Sequence, residues 1–165
     1  MQSKFLRRIS SIIPLIIVAM SLSGAPVLAQ ESKSIFVSPG VSLAYTFGDH
    51  GGFTIGGEVS VTTLPSNAAY FLGGLINIDY CFVSRRTKAH VGFEGGGAIF
   101  GLDVGPSWVS GGGRNNMGIT ISPFLGLVFY PYYSATLMFE GENIHQVGVW
   151  GKWPIPIVNT INLFN

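Results

Sequence analysis

The sequence predicts an all-β protein: one closed, antiparallel, up-and-down β-barrel of about eight strands whose outer face meets a membrane. Three observations predict it. Apolar residues alternate with small or polar ones along most of the chain, as in Val-Ser-Leu-Ala-Tyr-Thr-Phe at 41–47, and period two is the signature of a strand with two different faces. Residues 30–165 carry only six basic and eight acidic side chains, about a tenth of the segment, where soluble domains use roughly a quarter. Beyond the N-terminus no apolar run approaches the ~18 residues of a spanning helix. A chain that crosses a membrane without such a helix must do so with strands, and these must close so that no backbone group is left unpaired in lipid.

The first residues read as a targeting segment. Lys4, Arg7 and Arg8 form a basic start, Ile9 to Leu22 is apolar but interrupted by Pro14, and Val27-Leu28-Ala29 offers small residues for a signal peptidase. The expected organisation is a cleaved signal peptide at 1–29 and a barrel domain at 30–165. Leu22-Ser23-Gly24-Ala25 has Ala where a lipoprotein would carry its lipidated Cys, so lipidation is not expected. The remaining 136 residues suit one domain with a formal charge of −2. No basic patch recommends nucleic acid. Cys81 is the sole cysteine, so no internal disulfide can form.

Dense turn chemistry divides the rest. Breaks fall at 48–52, 65–67, 84–87, 110–116, Pro131 and 141–143. They leave strands at roughly 35–48, 52–64, 69–83, 88–97, 100–110, 115–130, 133–140 and 143–153. The fourth boundary rests on Gly95 to Gly101 alone, which also reads as one long glycine-rich strand, so seven or ten strands stay open. On the second strand Phe53, Ile55, Val59 and Val61 share a face opposite Thr54, Glu58, Ser60 and Thr62; on the sixth, Met117, Ile119 and Ile121 oppose Gly118, Thr120 and Ser122. Aromatic residues gather toward strand ends. Tyr45, Phe47, Phe53, Tyr80, Phe82 and Trp108 are expected at one rim, and Tyr70, Phe129, Tyr130, Tyr132, Tyr133 and Trp153 at the other, as in two interfacial girdles.

In these features the chain resembles the small eight-stranded outer-membrane β-barrel proteins of Gram-negative bacteria. The resemblance covers residues 30–165 and rests on pattern, not on a specific motif. It implies an outer-membrane location, outer-membrane lipids as neighbours and the barrel assembly machinery as a partner. One departure concerns the last residue: such proteins end on an aromatic, whereas here Phe164 precedes Asn165, and Pro154 and Pro156 interrupt the final stretch. Either Phe164 serves as the assembly signal slightly early, or a tail follows a last strand ending near Trp153.

With apolar side chains facing outward, the inward set contains a polar cluster: Glu58, Asn77, Asp79, His90, Glu94 and Asp103. A turn near 85–86 would set Asn77 opposite Glu94 and Cys81 opposite His90. Turns near 65–68 and 97–99 would bring Glu58 near Asn77 and Asp103 beside Glu94. Lys88, His90 and Lys152 are the inward cations available. The carboxylates must share protons, hold a cation or rest on water. A hydrogen-bonded plug is the preferred reading, since narrow barrels fill with side chains, and that also argues against a general, porin-like diffusion pore. The ligand spacing of a metal site is lacking, and no cofactor is implied.

Placing the N-terminus on the periplasmic side puts Arg85, Arg86 and Arg114 on the external side, with Lys88 close by, where they are candidate contacts for lipopolysaccharide phosphates; the plainer reading is that exposed turns carry solvated residues. These loops are too short for a large adhesive surface. The preferred function is a structural or lipid-interacting barrel without enzymatic activity, and no catalytic residue is assigned. One rival is a lipid-modifying acyl hydrolase or transferase, which needs a Ser activated by His and an acid. The other is a secreted lipocalin-like binder of an apolar ligand, with its greasy face inward.

Overall fold

A computed structural model of the protein describes residues 33–48, 51–65, 70–97, 99–111, 114–126 and 129–158. The expected signal peptide, Asp49, His50 and Phe164 lie outside the described residues. The strands are β1 (Lys33–Phe47), β2 (Gly52–Pro65), β3 (Tyr70–Cys81), β4 (Arg86–Gly97), β5 (Phe100–Gly111), β6 (Arg114–Leu125), β7 (Phe129–Met138), β8 (Ile144–Lys152) and β9 (Ile155–Val158). Each pairs antiparallel with its sequence neighbour from β1 to β8, and β1 closes the ring against β8 along Gly40 to Phe47. The result is an up-and-down barrel of eight strand positions.

β9 corrects the expected end of the last strand. After Trp153 and Pro154 the chain resumes pairing with β1, at Phe36↔Pro156 and Val37↔Ile155, with a register shift beside Ile35. Trp153 N–H donates to the Pro39 carbonyl at 3.0 Å across the break. The prolines therefore interrupt the ladder without ending it, because β9 lies at the sheet's seam where a missing N–H is tolerated. A second difference concerns the sixth turn. Gly126 takes φ 132° and its N–H donates to the Ile99 carbonyl; β6 ends at Leu125 and β7 begins at Phe129, so Pro131 lies within β7.

The two faces of this wall are sharply different. Val41, Leu43, Ile55, Val59, Val61, Leu72, Ile76, Ile78, Val104, Ile119, Ile121, Val147 and Val149 all point outward, each between 37% and 61% exposed. Inside lie Ser42, Thr54, Glu58, Ser60, Asp103, Ser107, Thr120, Ser122 and Thr136, none above 3%. This is the reverse of a soluble core. It also removes the lipocalin-like arrangement, which requires the apolar face within.

Glycine makes the crowded interior possible. A Cβ on Gly92 would stand 2.3 Å from Asp103 Oδ1 and 2.6 Å from His90 Nε2, and one on Gly101 would meet the Phe124 ring at 2.2 Å. Both positions are inward-facing, where the absent side chain is the space its neighbours occupy.

Candidate functional site

Strand parity delivers the interior cluster. Even-numbered residues of β2 and β4 and odd-numbered residues of β3 and β5 point inward, so Glu58, Asn77, Asp79, His90, Glu94 and Asp103 all face the lumen, between 1% and 4% exposed. The ladder runs Glu58↔Asn77, Asn77↔His90 and His90↔Ser107 in one lateral row, with Asp79↔Lys88 on one side of it and Glu94↔Asp103 on the other. Two expected pairings are thus corrected: Asn77 faces His90 instead of Glu94, and Cys81 faces Arg86 instead of His90. The cause is the β3–β4 turn. Arg85 adopts φ 53° and β4 begins at Arg86, so the hairpin closes two residues earlier than the sequence suggested.

Among the described residues every inward carboxyl group meets a basic side chain. Lys88 Nζ lies 3.1 Å from Asp79 Oδ2, and His90 Nε2 lies 3.0 Å from Asp103. Lys152 Nζ bridges two acids, 2.5 Å from Glu58 Oε1 and 2.7 Å from Glu94 Oε2. Desolvating such charges is expensive, and only close pairing offsets it. Hydroxyls and amides complete the lattice. Ser42 Oγ donates to Asp79, Thr46 joins Thr54 at 2.8 Å, Ser122 donates to Ser134, and Thr120 lies between Ser107 and Thr136. Lys88 also donates to Gln146 Oε1, and Gln146 Nε2 donates to Thr46.

Two of these contacts cross the lumen. β4 and β8 stand opposite each other in the ring of eight, yet Lys88 reaches Gln146 and Glu94 reaches Lys152. Side chains therefore bridge the lumen at two levels. Next to the Lys152 level is an aromatic layer: Tyr132 stacks on Trp150 with centroids 3.9 Å apart, Phe124 meets Trp150 edge-on at 5.6 Å, and Phe71 and Tyr130 pack against them. Lys152 Nζ sits 5.2 Å from the Trp150 ring centroid and 5.5 Å from that of Phe124. Tyr132 is thus inside the barrel instead of in the girdle, and Tyr130 is half-buried beside it. Tyr133 is outward, but it stacks on His145 near the β7–β8 connection, with its hydroxyl 2.7 Å from His145 Nδ1. That places it nearer the rim of Tyr45 and Phe47 than the one expected. Tyr45, Phe47, Phe53, Phe82, Trp108, Tyr70, Phe129 and Trp153 are all outward and exposed.

A Ser, a His and an acid do meet here, a grouping invisible in the linear sequence. His90 Nε2 lies 3.0 Å from both Asp103 oxygens, while Nδ1 lies 2.9 Å from Ser107 Oγ and 3.0 Å from the Pro106 carbonyl. Both ring nitrogens thus have neighbours within hydrogen-bond distance, and what decides against catalysis is access to Ser107. Ser107 Oγ is 2.6 Å from Thr120 Oγ1, and the residue is 0% exposed.

The basic residues separate. Lys88 points into the lumen and is 7% exposed, so the inward parity of β4 removes it from the candidate phosphate contacts. Arg86 is half-buried and lines a small cavity of about 50 Å³ with Asp79, Cys81, Lys88 and Gln146. Arg85 is exposed on the turn, and the Arg114 side chain lies outside the described residues.

The eight-stranded closed barrel is the architecture of the small outer-membrane proteins that the sequence resembles. The structure is similar to a crystal structure of Ail, the attachment invasion locus protein of Yersinia pestis, with a TM-score of 0.40 and 11% identity over 76% of this chain and 100% of that one. No family model matches the chain, and no curated protein sequence matches it significantly.

Proposed function

We propose that this protein is an integral outer-membrane barrel with a structural or lipid-interacting role and no enzymatic activity. The observation that carries the reading is the outer face. Apolar side chains surround the barrel while its charges are paired inside, an arrangement stable where hydrocarbon is the outer solvent. The exposed aromatic residues near both rims support the same placement. Against a lipid-modifying enzyme stands the sealed Ser107, which is fully buried and bonded into the hydroxyl row. Against a diffusion pore stand the two bridges between β4 and β8. Arg85, with Arg86 beside it at the β3–β4 turn, and Arg114 stay candidates for lipopolysaccharide phosphate contacts. The test is membrane fractionation followed by electrophoresis with and without boiling. Recovery in the outer membrane with a heat-dependent change in mobility is expected; recovery in the soluble periplasm refutes the proposal.

A further inference from the structure

The lumen beside the Lys152 level widens into a cup of about 390 Å³. Its walls are Phe36, Leu64, Phe71, Phe124 and Tyr130, with Tyr70 at its rim, and its polar groups include Ser60, Glu94 and Lys152. Barrel mouths are a preferred place for ligand sites, and such sites combine mainly apolar walls with a few convergent polar groups. Two observations describe the polar end. Ser60 is 1% exposed and its hydroxyl has no hydrogen-bond partner in the protein, a costly state for a buried polar group. Lys152 is shared between Glu58 and Glu94, two carboxyl groups around one ammonium, and Glu58 Oε2 has no protein donor.

We propose that this cup binds a small molecule with an apolar body and a cationic, hydrogen-bond-donating head. The body lies against Phe36, Leu64, Phe71, Phe124 and Tyr130, and the head reaches Glu94 and the Ser60 hydroxyl. Two carboxyl groups for one lysine select the charge of the head: an ammonium finds an acceptor in Glu94, whereas a carboxylate would face Glu94 with the single lysine already engaged. The proposal concerns the lumen and does not depend on the solvent outside the barrel.

The probes are n-hexylammonium, hexanol and hexanoate, titrated at pH 7 into the folded full barrel in phosphatidylcholine nanodiscs. The readout is the amide chemical shift of Ser60, Thr62 and Glu94, with Asp79 and Lys88 at the opposite mouth as internal controls. Hexylammonium should give saturable shifts at the first group only, with hexanoate at least tenfold weaker and hexanol between them. Ser60→Leu, which extends a side chain into the cup, should abolish the shifts while heat-dependent mobility shows that the barrel is folded. Glu94→Gln should reduce the preference for hexylammonium over hexanol. The wild-type comparison stands without either variant. Linear, unsaturable shifts common to all three compounds, or hexanoate binding as well as hexylammonium, would overturn the proposal.

Discussion

Replacing Ile76 with arginine tests which solvent surrounds the barrel. Ile76 sits near the middle of β3, points outward and is 58% exposed. In water such a substitution would change stability by no more than about 0.5 kcal/mol. In a bilayer, arginine at the midplane of a barrel's lipid face costs about 2–4 kcal/mol, falling to about 0–1 near the interfaces. The same hairpin offers the control. Val83, in the β3–β4 turn, is 70% exposed. Seven residues at ~3.3 Å each, on a strand tilted by ~40°, put it roughly 18 Å above Ile76. That exceeds half of an apolar band about 25 Å tall, so Val83 lies outside the hydrocarbon if Ile76 is central. The assay is the guanidinium-dependent folding equilibrium in phosphatidylcholine vesicles. Ile76→Arg should lower the ratio of folded to unfolded protein by about 30- to 700-fold, and Val83→Arg by no more than about fivefold. Equal effects at both positions, or a change below ~0.5 kcal/mol at Ile76, would refute the membrane orientation.

Three further outcomes follow from the interior. Gly92→Ala places a methyl against Asp103 and His90 and should cost about 1–3 kcal/mol by overpacking, whereas Gly57→Ala, whose Cβ meets nothing within 4 Å, should be within ~0.5 kcal/mol of wild type in the same equilibrium assay. Lys152→Met leaves Glu58 and Glu94 buried without their shared cation and should cost about 3–5 kcal/mol; adding Glu94→Gln should recover part of that loss, and no recovery would show that the pairing is not what stabilises this level. Trp150→Ala removes the stacking partner of Tyr132 and the ring beneath Lys152, with an expected loss of about 3–5 kcal/mol measured by thermal loss of heat-dependent gel mobility.

Much of the architecture was legible because a barrel strand has only two faces. Parity assigned Glu58, Asp79, Glu94 and Asp103 to the lumen without any knowledge of partners. The β3–β4 register was misplaced by four residues, yet every side chain stayed on its expected face, because only an odd slip exchanges faces. Partner identity was less accessible. Turn centres are set by which residue accepts a left-handed conformation, and Arg85 does so with no glycine or asparagine to announce it. Lys152–Glu94 and Lys88–Gln146 were hidden for a different reason. They join strands on opposite walls, so their contact depends on barrel diameter, a property of ring closure and not of any local pattern. Tyr132 and Trp150 were misread or passed over because an aromatic inside a narrow barrel has the same alternation signal as a polar residue there. The inward glycines Gly92 and Gly101 were the available clue that bulky groups needed room.

The meeting of Ser107, His90 and Asp103 shows why residue identity alone does not decide between catalysis and structure. A nucleophile needs a base with a vacant lone pair and a route for substrate. Here Ser107 Oγ and the Pro106 carbonyl both lie within hydrogen-bond distance of His90 Nδ1 and Asp103 lies against Nε2, but Ser107 is fully buried, so the route is what is missing. The row in which they lie continues through Thr120 and Thr136 as hydroxyl contacts of 2.6 and 2.8 Å, so Ser107 is one link in a lattice that runs around the wall. The same logic applies to the acids: each has a basic side chain supplied by the chain, and the buried side-chain atoms without a protein partner belong to Glu58, Ser60, Asn77 and Trp150. Of these Ser60 lines the cup, and that is where an added molecule would stabilise the fold.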